Sequence, residues 1–240
     1  MNDSLSLLTL TAASLGFVHT ILGPDHYLPF VMMSRAGKWS QSKTIFITIL
    51  CGFGHVLSSV AIGAIGIAFG VALHRLEFIE SVRGDIAAWL MTAFGLLYCL
   101  YGLRRAYLNK PHTHTHFHAD GSLHEHEHRH KEESLEHAHA HEAHTKSMMT
   151  TWALFTIFIF GPCEPLIPVL MYPAAQQSAL GLVWITLVFS ATTIATMLAM
   201  VLLTAKGFSF LPMKKIERYT HALAGGMIAL TGFAVLFFGL

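Results

Sequence analysis

The chain has 240 residues, of which 53% are hydrophobic and only 12% charged, with a formal net charge of +1. So apolar and sparsely charged a composition excludes an ordinary soluble domain and predicts a membrane protein. No nucleophile-base triad, phosphate-binding loop or basic stripe is present, which argues against an enzyme and against a nucleic-acid partner.

A membrane-crossing helix needs about 20 largely apolar residues. In chain order the sequence predicts six: Leu5 to Met33, Ile45 to Leu73, Ile86 to Leu103, Met149 to Met171, Ala179 to Thr204 and Ala222 to Leu240. Met1 to Ser4 carry no basic residue, so the first run lacks the charged start of a cleavable signal and is expected to remain as a span. It is interrupted by Gly23-Pro24-Asp25-His26-Tyr27-Leu28-Pro29, which sets a helix break, a carboxylate and an imidazole inside an apolar stretch. A second copy, Gly161-Pro162-Cys163-Glu164-Pro165, interrupts the fourth run 138 residues later. Backbone groups freed by Gly and Pro find no water in hydrocarbon, so such breaks persist only where protein or a polar cavity satisfies them.

The offset recurs at about 137 residues elsewhere: Gly95 and Gly102 match Gly232 and Gly239, and His55 and Ser59 match Thr192 and Thr196. Three spans per half is an odd number, so the second copy must run inverted through the membrane. The expected fold is therefore an all-α membrane protein of six transmembrane helices. These form two inverted-topology three-helix repeats, residues 1–106 and 148–240, joined by a linker, 107–147.

Thirteen of the fifteen Lys and Arg residues follow spans one, three and five, which predicts a multi-pass inner-membrane protein with these loops cytoplasmic and both termini outside. Arg75 to Gly84 and Gly207 to Arg218 read as short interfacial connections without a motif. The linker is low in complexity and cannot bury a core. It holds twelve of the seventeen histidines: His112, His114, His116, His118, His124, His126, His128, His130, His137, His139, His141 and His144. If the segment is extended, their alternation puts the rings on one face, and if helical, pairs such as His124 and His128 could chelate; it reads as an auxiliary metal-binding loop or merely a solvated linker.

Among fourteen acidic residues, only Asp25 and Glu164 fall well inside predicted spans. Buried charge in a membrane is a functional hypothesis by default. His19 lies two helical turns before His26, and His55, in Gly52-Phe53-Gly54-His55, can approach from span two. His19, Asp25, His26, His55, Cys163 and Glu164 thus form a candidate metal or substrate site, with Gly23, Pro24, Pro29, Gly161, Pro162 and Pro165 as helix breaks. Imidazole and thiolate supply affinity for a divalent transition metal and carboxylate balances its charge. Each also has a plainer reading. Asp25 and His26 fit a structural pair at the kink, Cys163 a small hydrophobe, and His55 an interhelical hydrogen bond. Ser58, Ser59, Thr192, Thr193 and Thr196 fit capping groups.

These residues also carry a resemblance. His19-Thr20-Ile21-Leu22-Gly23-Pro24-Asp25-His26 resembles the signature of the nickel/cobalt permeases, especially their urease-accessory, UreH-type branch. Phe160 to Pro165 resembles motifs of the wider TauE/SafE- and LysE-like inverted-repeat group. The resemblance implies roles for His19, Asp25 and His26 in selecting a metal. It implies alternating-access transport of nickel or cobalt, with zinc or copper as other cargoes, and the His-rich loop implies efflux. The ion is cargo and no prosthetic group is expected; the expected partners are the lipid bilayer, the metal ion, and a homodimer mate or cytoplasmic metallochaperone. Three other classes stay open: a thiol-disulfide electron relay, which lacks a cysteine near the first break; a sulfite-type anion exporter; and a membrane-anchored metal buffer.

Overall fold

A computed structural model describes residues 3–108, 112–117, 123–128, 151–163, 165–175, 178–209 and 217–238. Apolar runs fold as helices because, in lipid, only a helix satisfies its own backbone. In chain order these are α1 (Asp3–Leu22), a 3-10 turn (Pro24–His26), α2 (Leu28–Ala36), α3 (Gln41–Ala68) and α4 (Leu73–Leu108). After the hairpin strands β1 (His112–Phe117) and β2 (Leu123–His128) come α5 (Thr151–Phe160), α6 (Leu166–Ala175), α7 (Ala179–Ser209) and α8 (Thr220–Phe238).

Five described helices are long and apolar enough to cross a membrane: α1, α3, α4, α7 and α8. The expected fourth span is instead two short pieces, α5 and α6, separated by the second Gly-Pro break. The first span is likewise divided, by Gly23 and Pro24, into α1 and the nine-residue α2, with Pro29 in the first turn of α2. Large apolar side chains such as Leu10, Phe46, Phe53 and Leu97 lie exposed on the outer helix faces, where lipid takes the place of water.

Helix α4 packs most extensively on α8, and α1 on α7, while α6 lies against both α3 and α7. Glycine makes the α4–α8 approach close. A Cβ at Gly95 would meet the backbone of Ala229 and stand 2.8 Å from the Gly225 carbonyl, and one at Gly232 would stand 2.6 Å from Thr92 Oγ1. Small residues at such crossings let backbones touch where no hydrophobic force drives helices together. One core cluster, including Phe30, Met33, Ile47, Phe158 and Met197, surrounds α2. A second, including Val56, Cys163, Leu166 and Phe189, surrounds the break before α6.

Helix α4 begins at Leu73, thirteen residues earlier than hydropathy predicts, so Arg75 to Gly84 is helix and not an interfacial connection. The reason is Glu80 and Arg83, which read as the end of a span but neutralise one another inside the protein. Arg83 Nη1 lies 2.7 Å from Glu80 Oε1, and the Glu80 side chain is fully buried.

Part of the linker forms the antiparallel hairpin β1–β2, the extended alternative rather than the helical one. Its antiparallel register sets His112 opposite His128, His114 opposite His126 and His116 opposite His124. His118, His130, His137, His139, His141 and His144 lie outside the described residues.

Candidate functional site

The first break is built by its own short-range bonds. Helix α1 ends with the Gly23 amide donating to the His19 carbonyl at 3.0 Å, and the following turn closes with His26 N–H donating to Gly23 O at 3.1 Å. This geometry turns the His26 ring back on its own backbone. Nδ1 lies 3.0 Å from Asp25 Oδ1 and 3.2 Å from Gly23 O, two acceptors, so Nδ1 carries the proton and donates. Asp25 sits within the 3-10 turn, where its carboxylate accepts from His26 and orients the ring. Gly23 leaves room for this: a Cβ there would stand 2.5 Å from His26 Nδ1 and 2.7 Å from Asp25 Oδ1.

His19 and His55 complete a ring of imidazoles. The His19 and His26 centroids are 4.6 Å apart at near-perpendicular planes, and those of His26 and His55 are 5.1 Å apart. The break, rather than a regular two-turn helical spacing, brings His19 and His26 together. His55 reaches in from the middle of α3. Its Nδ1 lies 3.3 Å from the Phe158 carbonyl and donates to it, tying α3 to the end of α5. His26 and His55 are each 2% exposed. The Nε2 atoms of His19, His26 and His55 are buried without a hydrogen-bond partner.

The second break brings a thiol to the same place. A ring nitrogen of His19, a ring nitrogen of His55 and Cys163 Sγ all lie within 4.8 Å of one another. The backbone here is held by Glu80 and Arg83, which sequence reasoning passes over. Arg83 donates to the Gly161 carbonyl at 2.6 Å and to the Phe160 carbonyl at 3.2 Å, the acceptors left over where α5 stops. Glu80 Oε2 accepts from the Cys163 amide at 3.2 Å and from Ser59 Oγ at 3.0 Å. The i,i+3 spacing of opposite charges, one turn before Gly84, is the signal that could have found them. Gly84 itself lies against the break, since a Cβ there would stand 2.7 Å from Pro162 Cγ. A cleft lined in part by Asp25, His55, Gly84, Gly161 and Pro162 joins the two breaks.

Of the predicted site residues, the structure brings together His19, Asp25, His26, His55 and Cys163. Glu164 lies outside the described residues, and with it the expected meeting of two carboxylates. Ser58 and Ser59 serve the Arg83 network, accepting from its Nη2 at 3.2 and 2.7 Å. Thr196 donates back to the Thr192 carbonyl within its own helix.

The model of one protein family, described as the cytochrome C biogenesis protein transmembrane region, matches residues 28–234. This chain belongs to that family. The match takes in His55, the Glu80–Arg83 pair and Cys163, and begins two residues beyond His26. No curated protein and no solved structure matches the chain. The resemblance to nickel/cobalt permeases and their urease-accessory branch is thereby overturned. It rested on eight residues, whereas the family match runs through most of the chain, and a thiol-disulfide relay family now stands in its place. The nickel and cobalt cargo that followed from the resemblance goes with it.

Proposed function

We propose that this membrane protein carries out thiol-disulfide exchange in the service of cytochrome c biogenesis, with Cys163 as the exchanging sulfur. The observation that carries the reading is the family match, which spans the Pro-flanked cysteine at the second helix break. The other two thiols have packing roles. Cys51 sits in the cluster around α2 and Cys99 lies against the glycines of α8, whereas Cys163, as buried as Cys51, sits at the second break beside His19 and His55. All three cysteines are free, so the chain has no internal disulfide, and exchange requires a second thiol from a partner. The Cys163 thiolate attacks a partner's disulfide, forms a mixed disulfide and releases one partner sulfur as thiolate. The second bond is then broken by an incoming thiolate, which regenerates Cys163. His19 and His55, whose ring nitrogens are near Sγ, receive and return the thiol proton. The two broken segments, α1–α2 and α5–α6, serve as inverted copies of one unit that frame the site, completing a six-span plan.

The test is replacement of each cysteine in cells that lack the native copy, read as covalently haem-linked cytochrome c. Cys163→Ser is expected to abolish maturation, while Cys51→Ser and Cys99→Ser retain it. Full maturation with Cys163→Ser refutes the reading.

A further inference from the structure

We propose that His19, His55 and Cys163 form a buried binding site for a soft or borderline transition-metal ion of the Zn2+ or Cu+ class. The inference goes beyond thiol exchange and does not depend on it. Three features of the geometry carry it. First, the donor atoms already lie within 4.8 Å of one another. Around a tetrahedral ion with bonds of about 2.0 Å to nitrogen and 2.3 Å to sulfur, such donors stand about 3.5 Å apart, so closure needs an inward shift of only about 1 Å.

Second, the rings are prepared as ligands. The neutral imidazole that donates from Nδ1 offers a lone pair at Nε2, and this is the arrangement that orients most metal-bound histidines. His55 donates from Nδ1 to Phe158 O, and His26 donates from Nδ1 to Asp25, which leaves each Nε2 lone pair unused. Third, those Nε2 atoms are buried and unpartnered, a state that costs about 1–3 kcal/mol per group unless something fills it. An ion satisfies them together. His26, with its ring 4.6 Å from that of His19, stands next to the three ligands as the candidate fourth.

Donor chemistry sets the class of ion. Two imidazoles and one thiolate select zinc or copper over magnesium or calcium, which take oxygen. Binding displaces the Cys163 proton, so the ion occupies the same sulfur lone pair that exchange would use. Metal loading and thiol exchange at Cys163 therefore exclude one another.

The test uses the full-length protein in detergent, titrated in separate arms with Zn2+ and with Cu+ under reducing conditions. The primary readout is the alkylation rate of each cysteine, followed by mass spectrometry. Reading Cys163 itself, rather than total metal bound, keeps metal held by the histidine-rich linker from being scored as the site. The expected result is that one equivalent of Zn2+ or Cu+ slows alkylation of Cys163 and leaves Cys51 and Cys99 unchanged. His55→Ala and Cys163→Ser should each remove the tight site, a loss larger than the about 10–100-fold in affinity that follows removal of an outer partner. Protection by Zn2+ alone marks a borderline tetrahedral site and protection by Cu+ alone a soft one; either supports the proposal. Equal alkylation of Cys163 with and without both ions overturns it, as does a tight site that survives His55→Ala. A Cys163 that both ions leave unprotected, yet on which cytochrome maturation depends, sinks the metal site alone. Protection without a maturation defect in Cys163→Ser sinks the exchange reading alone.

Discussion

Replacing Arg83 by Met removes a guanidinium that donates to Glu80, Ser58, Ser59 and the carbonyls of Phe160 and Gly161. The carboxylate left behind is fully buried. Stranding one partner of a buried ion pair costs about 3–5 kcal/mol, and each orphaned carbonyl at the end of α5 adds about 1 kcal/mol. Together these put the loss at about 5–7 kcal/mol. Part of that should be recoverable without restoring the cation. Adding Glu80→Gln neutralises the stranded charge while keeping an acceptor for the Cys163 amide, so the double variant should regain about 2–3 kcal/mol. The assay is equilibrium unfolding in mixed micelles for wild type, both single variants and the double variant. Additivity of the two changes to within about 0.5 kcal/mol would show that Glu80 and Arg83 do not act as a buried unit, and would refute the role given to them at the second break. A second readout is local. Since Cys163 N–H rests on Glu80, Arg83→Met should also speed alkylation of Cys163.

The α4–α8 crossing should not tolerate a side chain. Gly95→Val drives a Cβ into the backbone of α8 and should cost at least about 1–3 kcal/mol. Gly207→Ala in α7 meets nothing within 4 Å and should stabilise by about 0.5–1 kcal/mol; unfolding midpoints compare the two. Gly23→Ala crowds His26 Nδ1 and Asp25 Oδ1, so cytochrome maturation should fail while immunoblots find the protein in the membrane at its normal level. A normal maturation rate would mean that the His26 orientation is dispensable. Thr193 Oγ1 is buried without a hydrogen-bond partner, so Thr193→Val should leave stability within about 1 kcal/mol of wild type, on the stabilising side. A loss above that in thermal unfolding would reveal an interaction at this hydroxyl.

Both helix breaks are legible in the sequence because Gly-Pro inside an apolar run has few other meanings. The association of His19, His26 and His55 is legible for the same reason, since polar rings in lipid must meet one another or a cavity. Glu80 and Arg83 are not. A hydropathy profile reads each charge as if exposed to lipid, and only the folded pair reveals that the two cancel and that their remaining hydrogen bonds finish a broken helix. Asp25, read from the sequence as a metal ligand, is in the structure the acceptor that aims His26. The family is missed because a short polar signature outweighed the rest of the chain. The sulfur at the second break is visible from Gly-Pro-Cys163, but its weight is not, because exchange is expected to show a cysteine at both breaks and Asp25 stands where the other would be.

Trapping of mixed disulfides in native membranes tests the account at its centre. The membranes are quenched with acid and alkylated, and adducts at Cys51, Cys99 and Cys163 are identified by mass spectrometry. A protein adduct at Cys163 is expected, absent from Cys163→Ser and undiminished in Cys51→Ser and Cys99→Ser. An adduct carried by Cys51 or Cys99 with none at Cys163 would contradict it.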